Sequence, residues 1–236
     1  MSGAEVGRIA GLFRYPVKSM APERLEQVEV SWHGLAGDRR WAFVQDGLER
    51  SNFPWLTIRE RPEMWHYQPS FAEPDRPEAS RTVVRTPGGQ ELDVIDPALA
   101  EELGFGARVI KQNRGVFDAM PLSLLSTGSI AALEEIVGAE LVPERFRPNL
   151  LMEPGVDGPF PEDRWVGSVL RIGGMAMRVD QRDERCVMIN VDPLSTERDA
   201  SILKAVARTR EACFGVYGTV VTPGTVAVGD SVVLEE

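Results

Sequence analysis

One cysteine in this chain has neighbours that could make it chemically reactive. Cys186 directly follows Arg185 and precedes an apolar run, residues 187–191, which predicts a strand. A cation beside a cysteine favours the thiolate, which is the form that binds a metal or attacks an electrophile. Asp183 and Glu184 oppose this effect, so a buried structural cysteine remains the alternative interpretation of this segment.

Six further residues carry a cation, a hydroxyl or an amide where the chain is expected to turn. An arginine holds phosphate or carboxylate through two parallel hydrogen bonds, and lysine, serine and asparagine can complete such a site. Taken singly, each has an ordinary alternative as a surface residue, a structural ion pair or a turn cap. The candidates for holding an anion are Lys18, Ser19, Arg39, Arg59, Arg147 and Asn149.

Together, one thiol and several scattered cations suit an elongated anion that carries a soft metal at one end. Such a ligand would be a bound cofactor that supplies the difficult chemistry. The second cysteine, Cys213, lies beside Phe214 at a predicted helix end, and we interpret it as a small core residue.

The composition argues against several other classes of protein. Two cysteines are too few for a disulfide scaffold, a four-thiolate metal site or an iron–sulfur cluster held by cysteines alone. His33 and His66 each stand alone, which disfavours a histidine-built zinc site and Ser-His-Asp catalysis. A net charge of −10 argues against binding nucleic acid through the overall field.

The sequence also carries no sign of a membrane or export segment. The first residues lack the basic and apolar regions of a secretory signal, and no run of about 18 apolar residues occurs. With so few cysteines, a reducing compartment fits best, and we expect a cytoplasmic protein without a membrane span.

The elements that must position these groups are mostly strands. Alternating apolar residues and turn signals predict strands over 6–13, 25–31, 40–45, 81–85, 91–95, 107–112, 169–179, 214–221 and 225–234. Helical periodicity predicts helices over 97–103, 124–138 and 199–212. The helices stand between groups of strands and do not alternate with them. This pattern predicts a mainly β (α+β) fold, a barrel with peripheral helices, and argues against a doubly wound sheet.

The order and spacing of the short motifs resemble the MOSC family, in the branch with an N-terminal β-barrel domain to which amidoxime-reducing proteins belong. The resemblance implies a MOSC β-barrel with peripheral helices over residues 116–236 and an N-terminal β-barrel-like domain over residues 1–115. The motifs are Tyr15-Pro16-Val17-Lys18-Ser19, Gly37-Asp38-Arg39-Arg40-Trp41, Leu124-Leu125-Ser126-Thr127-Gly128-Ser129, Phe146-Arg147-Pro148-Asn149, Arg185-Cys186, Val191-Asp192-Pro193, Phe214-Gly215-Val216-Tyr217 and the run from Pro223 to Val232.

The resemblance also implies roles for single residues. Cys186 matches a cysteine that ligates molybdenum, and Asp192 matches an acidic residue just beyond it; both are expected to be catalytic. Five of the anion-holding candidates match positions that hold a pterin and its phosphate: Lys18, Ser19, Arg39, Arg147 and Asn149. Arg59 is added to them as a further, weaker candidate for cofactor binding. Three hydroxyls are expected to approach that phosphate at a helix start, which is a favourable anion site; they belong to Ser126, Thr127 and Ser129.

The implied function is that of a molybdenum-cofactor oxidoreductase, using a molybdopterin-type cofactor. Its substrate would be a small N-hydroxylated or N-oxide compound, and its electrons would come from a separate flavin or iron–sulfur protein. The alternative is a carrier that uses Cys186 as a persulfide or thiolate to deliver sulfur or the cofactor without reducing a substrate.

Overall fold

The structure is a computed structural model that describes residues 3–113, 119–155 and 158–235. The strands are β1 Gly3–Arg14, β2 Glu23–Leu25, β3 Gln27–Ser31, β4 Gly34–Leu35, β5 Trp41–Val44, β6 Gln68–Phe71, β7 Thr82–Arg85, β8 Glu91–Asp93, β9 Arg108–Lys111, β10 Leu122–Ser126, β11 Leu150–Pro154, β12 Val169–Ile172, β13 Met175–Glu184, β14 Cys213–Thr222, β15 Gly224–Ala227 and β16 Ser231–Glu235. The α-helices are α1 Pro97–Leu103, α2 Thr127–Val137 and α3 Ala200–Arg210, and 3-10 helices span Pro62–His66, Pro143–Phe146, Pro161–Trp165 and Val187–Asn190.

Seven strands close into a barrel. Their order is β1-β11-β10-β14-β13-β12-β16, and the barrel closes because β1 pairs with both β11 and β16. Neighbouring strands are antiparallel, except for the parallel pair β10 and β11. The predicted mainly β fold, a barrel with peripheral helices, is confirmed.

The first strand belongs to this barrel because its apolar side chains face the interior. Val6, Ile9 and Leu12 are buried, whereas Arg8 between them is exposed. A bulge between Ile9 and Gly11 shifts the pairing with β11, so the apolar pattern of the strand departs from strict alternation. The three buried side chains share one core with side chains from the other barrel strands, including Leu124, Leu150, Leu170, Met177, Val216 and Val232.

A second core lies in the N-terminal part of the chain. It is covered by the β5–β9 pair, the three-stranded sheet β6-β7-β8 and helix α1. Its largest fully buried side chains include Phe43, Leu56, Ile58, Met64 and Tyr67. The division into residues 1–115 and 116–236 stays a prediction. Two strands of the first part pair with strands of the second, because β1 lies in the barrel and β3 pairs with β15.

Helices α2 and α3 pack against each other and against the barrel around a third core. Ile130 and Leu133 of α2 meet Ile202 and Val206 of α3 there, beside Phe214 of β14. Helix α3 matches the predicted position, and α2 ends where predicted; α2 is capped by Ser126, which accepts a hydrogen bond from Ser129 N. None of the described helices has the length and apolar character that crossing a membrane requires.

Two sequence-based predictions of elements were wrong. The helix expected from residue 124 begins at Thr127, because residues 122–126 form the buried strand β10. Residues 187–190 form a 3-10 helix where a strand was expected. In that run Ile189 is buried and Val187 is exposed, and a short apolar run of this kind fits a tight turn as well as a strand.

Closure of the barrel by β1 predicts the effect of shortening a side chain on that strand. Ile9→Ala leaves a cavity in the barrel core and should lower the free energy of unfolding by about 2–5 kcal/mol, measured by urea denaturation. Arg8→Ala, on the exposed face of the same strand, should change it by at most about 1 kcal/mol. Equal effects of the two substitutions would show that β1 contributes no core to the barrel.

Candidate functional site

A cleft of about 90 Å³ opens where the segment that follows β1, the Pro143–Phe146 turn and the end of β13 meet. It contains five of the candidates from the sequence, together with charged and aromatic neighbours. The lining residues are Lys18, Ser19, Arg39, Arg145, Phe146, Arg147, Asp183, Glu184, Arg185, Cys186, Met188, Ile189 and Tyr217.

The thiol of Cys186 lies exposed at this cleft. Strand β13 ends at Glu184, and Cys186 is the N-cap of the following 3-10 helix, Val187–Asn190, in which Ile189 N donates to the Cys186 carbonyl at 3.2 Å. The guanidinium that contacts its sulfur belongs to Arg59, whose Nη2 lies 3.1 Å from Sγ. A cysteine that faces a cleft beside a cation is available to a ligand, unlike the buried structural cysteine of the alternative interpretation.

Arg185 fixes the turn that carries the cysteine. Its Nε donates to Phe214 O at 2.7 Å, its Nη1 donates to Phe146 O at 2.7 Å, and its Nη2 lies 2.7 Å from an oxygen of the buried Asp183. These contacts join the end of β13 to β14 and to the 3-10 turn before Arg147. The position of the Cys186 backbone therefore depends on a nearly buried guanidinium with three acceptors.

Two arginines stack against the buried ring of Tyr15. The guanidinium carbon lies 4.9 Å from the ring centroid for Arg39 and 4.2 Å for Arg147, and Arg147 also lies 4.8 Å from the ring of Trp65. Burial raises the pKa of Tyr15 despite the two cations, so its phenol stays neutral at physiological pH. A neutral aromatic ring orients the two guanidinium groups without cancelling their charge.

Three lining residues hold a left-handed backbone conformation that residues other than glycine rarely adopt. The φ angle is 66° at Ser19, 45° at Arg39 and 53° at Arg147. A side chain in this region costs on the order of 1–2 kcal/mol, and such conformations cluster at ligand sites. Of the eight described non-glycine residues with a positive φ, these three line the cleft.

The hydroxyl of Ser19 tests whether a ligand fits this cleft. Ser19 is buried, and within the part of the chain that the structure describes its Oγ has no hydrogen-bond partner. A buried hydroxyl without a partner is costly unless a ligand or water supplies one. Beside it, Lys18 and the two stacked arginines offer donors to an anion, and Cys186 offers a soft sulfur ligand. The donor set therefore fits an anionic group that carries a soft metal.

The hydroxyls expected at the start of α2 are not brought into the cleft. The carboxylate of buried Glu162 accepts from Ser126 Oγ and from Ser129 Oγ, each at 2.7 Å, and from Ser126 N at 3.3 Å. Thr127, the first residue of the helix, is half-buried there and does not line the cleft. An anion from the protein itself thus lies at this helix start, where a ligand phosphate was expected.

Asn149 lies behind the cleft, where it supports Arg39. Its Oδ1 accepts from Arg39 Nη1 at 3.2 Å and from Ser123 N at 3.2 Å, and its Nδ2 donates to Phe13 O at 3.2 Å. Arg39 also forms an ion pair with Asp38. The amide therefore positions the cation, and its own hydrogen bonds are made within the protein.

Asp192 shapes the chain after the cysteine turn and does not line the cleft. Its Oδ1 accepts from the backbone N–H of Leu194 and Ser195, and its Oδ2 lies 2.5 Å from Arg145 Nη2. Burial alone would raise the pKa of Asp192, but these hydrogen bonds and the charge of Arg145 outweigh it and lower the pKa. A carboxylate held in this way is a structural anchor for the turn.

Sequence reasoning missed Arg145 as a lining residue and gave no role to Tyr217. Arg145 is buried, and its Nη1 donates to Ile189 O at 3.1 Å inside the cysteine turn. The available signal was its position two residues before Arg147, in a turn that begins with Pro143. Tyr217 stands within the motif that starts at Phe214, and strand alternation on β14 alone does not show that it faces the cleft.

The arginine that fixes the cysteine turn should matter for stability. Arg185→Ala removes the paired cation of the buried Asp183 carboxylate and a donor to two carbonyls, and should cost about 3–5 kcal/mol of unfolding free energy. Arg178→Ala removes an exposed pair with Asp180 and should cost at most about 1 kcal/mol. Urea denaturation compares the two, and a similar loss in both variants would contradict the assigned role.

The lowered pKa of Asp192 predicts how its substitution changes acid stability. A carboxyl whose pKa is depressed by folding stabilises the fold above its unfolded pKa, and this contribution is lost as pH falls through the folded pKa. Asp192→Asn should therefore be less stable than the wild type at pH 7, with the gap shrinking below about pH 4. Denaturation midpoints at both pH values measure this, with exposed Asp75→Asn as a control that should show no gap.

Family comparisons match nearly the whole chain. Residues 111–233 match the model of the MOSC domain, and residues 6–109 match the model of the MOSC N-terminal beta barrel domain. Together the two matches cover residues of all three cores and every residue that lines the cleft.

Curated relatives with these domains fall into two groups. Molybdenum cofactor sulfurase of Caenorhabditis elegans is 23% identical over 242 residues, covering 89% of this chain and 33% of the relative. Mitochondrial amidoxime-reducing component 1 of Homo sapiens is 29% identical over 130 residues, covering 50% of this chain and 37% of the relative. The chain thus spans about a third of the length of these relatives.

A solved structure shows the same fold. The YuaD protein from Bacillus subtilis superposes with a TM-score of 0.55 at 15% identity, covering 97% of this chain and 95% of that one. At this identity the likeness concerns the fold alone.

Proposed function

This chain belongs to the MOSC family, and on that premise we propose that its cleft binds a molybdenum cofactor with which it reduces N-hydroxylated or N-oxide compounds. The family includes molybdenum cofactor sulfurases and amidoxime-reducing components, and it is associated with this cofactor. One observation carries the proposal: an exposed thiol shares a small cleft with clustered cations and a buried hydroxyl that has no partner among the described residues.

Each part of the cleft has a role in holding the group. The sulfur of Cys186 is the soft ligand for the metal. Lys18, Arg39 and Arg147 supply the positive charge that an anionic pterin phosphate requires, and Ser19 Oγ supplies a hydroxyl donor. When bound, the molybdenum cofactor supplies the two-electron redox chemistry of the site.

The reaction breaks one N–O bond of the substrate. An N-hydroxylated compound takes up two electrons and two protons and yields the corresponding N–H compound and water. The electrons come from a separate flavin or iron–sulfur protein, because two cysteines cannot hold a cluster by themselves and no dinucleotide-binding glycine motif is present in the sequence. The chain's part is to bind and orient the substrate beside Cys186.

A second candidate function is that of a sulfur or cofactor carrier. It is favoured by the similarity to molybdenum cofactor sulfurases, which extends over 89% of this chain, against 50% for the amidoxime-reducing component. The exposure of Cys186 would suit a persulfide, which must be reached by a partner. The same cleft would then hold the cofactor for transfer.

Replacing the thiol should separate these functions. Purified from a host that makes molybdopterin, the wild-type chain should contain close to one molybdenum per chain and reduce benzamidoxime. Cys186→Ser should fold normally, yet lose the bound metal and nearly all turnover, because a hydroxyl is a poor ligand for a soft metal. Elemental analysis and product assay measure both quantities.

Cys213→Ser is the matched control, since this half-buried cysteine lies outside the cleft and should keep both metal and activity. Cyanide-labile sulfur on Cys186 without metal would favour the carrier. Full turnover in a metal-loaded Cys186→Ser variant would contradict the role of the sulfur as ligand.

A further inference from the structure

We propose that Arg59 and Phe53 select the substrate, so that the site prefers planar hydroxamic acids to the corresponding amidoximes. The inference rests on the proposed reduction of N-hydroxylated compounds and names the substrate class within it. It places Arg59 on the side of the Cys186 sulfur where the substrate binds, away from Arg39 and Arg147, which stack on Tyr15.

Arg59 has fewer acceptors than the arginines around it. Arg39 and Arg185 each form an ion pair with a neighbouring carboxylate. The half-buried Arg59 forms no ion pair with any described residue, and its Nε is buried without a partner. Its one side-chain contact with an acceptor is the 3.1 Å approach of Nη2 to Cys186 Sγ. Its guanidinium therefore has N–H donors that can bind a ligand beside Cys186 Sγ.

The backbone of Arg59 is held firmly, so its side chain extends from a fixed point. Its N–H donates to Thr57 Oγ1 at 3.2 Å, and that hydroxyl donates to Glu60 at 2.8 Å. Its carbonyl accepts from Arg198 Nη2 at 2.6 Å. A guanidinium presented from a rigid turn loses less entropy on binding than one on a free loop.

An exposed aromatic ring lies next to this guanidinium. The guanidinium carbon of Arg59 lies 4.8 Å from the ring centroid of Phe53, and Lys18 Nζ lies 5.8 Å from it. Phe53 is 38% exposed, and Val187, directly after the cysteine, is 47% exposed. An exposed ring against Arg59 and an exposed apolar side chain directly after the cysteine favour a ligand with a flat apolar part.

The donor pattern of Arg59 distinguishes two classes of N-hydroxylated compound. A hydroxamic acid carries a carbonyl oxygen and an N–O oxygen on adjacent atoms, and these two acceptors suit the paired N–H groups of a guanidinium. An amidoxime has an amino group in place of the carbonyl oxygen, so one donor would face another. A site that offers hydrogen-bond donors discriminates strongly against a ligand that cannot accept them.

Equilibrium binding tests the site apart from turnover. Benzoate and benzamide have nearly the same shape and neither carries an N–O bond to reduce, but benzoate has a second, negatively charged oxygen acceptor where benzamide has an amino donor. The full chain should bind benzoate at least about tenfold more tightly, the effect of one charge-assisted hydrogen bond. Arg59→Met should abolish this preference, whereas Arg208→Met, on the exposed face of α3, should keep it. Equal binding in the wild type, or a preference that survives Arg59→Met, would overturn the inference.

Kinetics and metal content supply the second measurement. Arg59→Met should lower the ratio of kcat/KM for benzhydroxamic acid to that for benzamidoxime by at least about tenfold, with molybdenum content unchanged. For Arg59→Lys, which keeps the charge but not the paired donors, this ratio should lie between the ratios of the wild type and of Arg59→Met. Loss of molybdenum in Arg59→Met with an unchanged ratio would make Arg59 a cofactor residue and overturn the inference.

The two proposals fail in different ways. If the wild type reduces neither compound, while its preference for benzoate is present and disappears in Arg59→Met, the proposed reaction fails and Arg59 stands as a binding residue for planar oxygen-rich acids. If both compounds are reduced at a ratio that Arg59→Met does not change, the reaction stands and the selection by Arg59 fails.

Discussion

Closure of the barrel by β1 is the constraint on which the site depends. The strand pairs with β11 and β16 at once, and its C-terminal end leads directly into Tyr15 and the segment that carries Lys18 and Ser19. The hydrogen bond from Phe13 N to Asn149 O, at 2.9 Å, sets this end beside the start of β11. Residues more than a hundred positions apart in the sequence thereby reach one cleft, because a closed sheet leaves each strand only one register.

The cleft is rich in cationic side chains, although the whole chain is acidic. The net charge is −10, yet the cleft gathers a lysine and four arginines. Carboxylates such as Asp38, Asp183 and Asp192 neutralise and orient several of them. The positive potential is thus local and short in range, which suits a small anion and does not attract a polyanion.

Local signals in the sequence predicted the helices well. Helix α1 spans the predicted residues because Asp96 caps its first turn, Pro97 begins it and Gly104 follows its end. The pairing of β1 with two distant strands could not be predicted in this way, because period-2 alternation shows which face is buried but not which partner covers it. The 3-10 helix after Cys186 was predicted as a strand because a short apolar run is compatible with either structure.

The site was predicted in part. The motif residues Lys18, Ser19, Arg39, Arg147 and Cys186 line one cleft. The hydroxyls of Ser126 and Ser129 bind Glu162, which lies more than thirty residues further along the chain and whose approach no local pattern shows. Likewise, the cation at the sulfur comes from Arg59, over a hundred residues away, and not from the adjacent Arg185. A role predicted from neighbours in the sequence is wrong where the folded structure brings a different residue to that position.

The left-handed backbone at Ser19, Arg39 and Arg147 has an evolutionary consequence. Glycine adopts this conformation without strain, so at all three positions it would relieve the backbone and remove a polar or charged group from the cleft. Selection for stability alone would therefore favour glycine at these positions and would remove the groups that the proposed function needs. Under the proposed function, the side chains at these positions serve ligand binding at a cost in stability, and thermostabilised descendants of this sequence should leave all three unchanged.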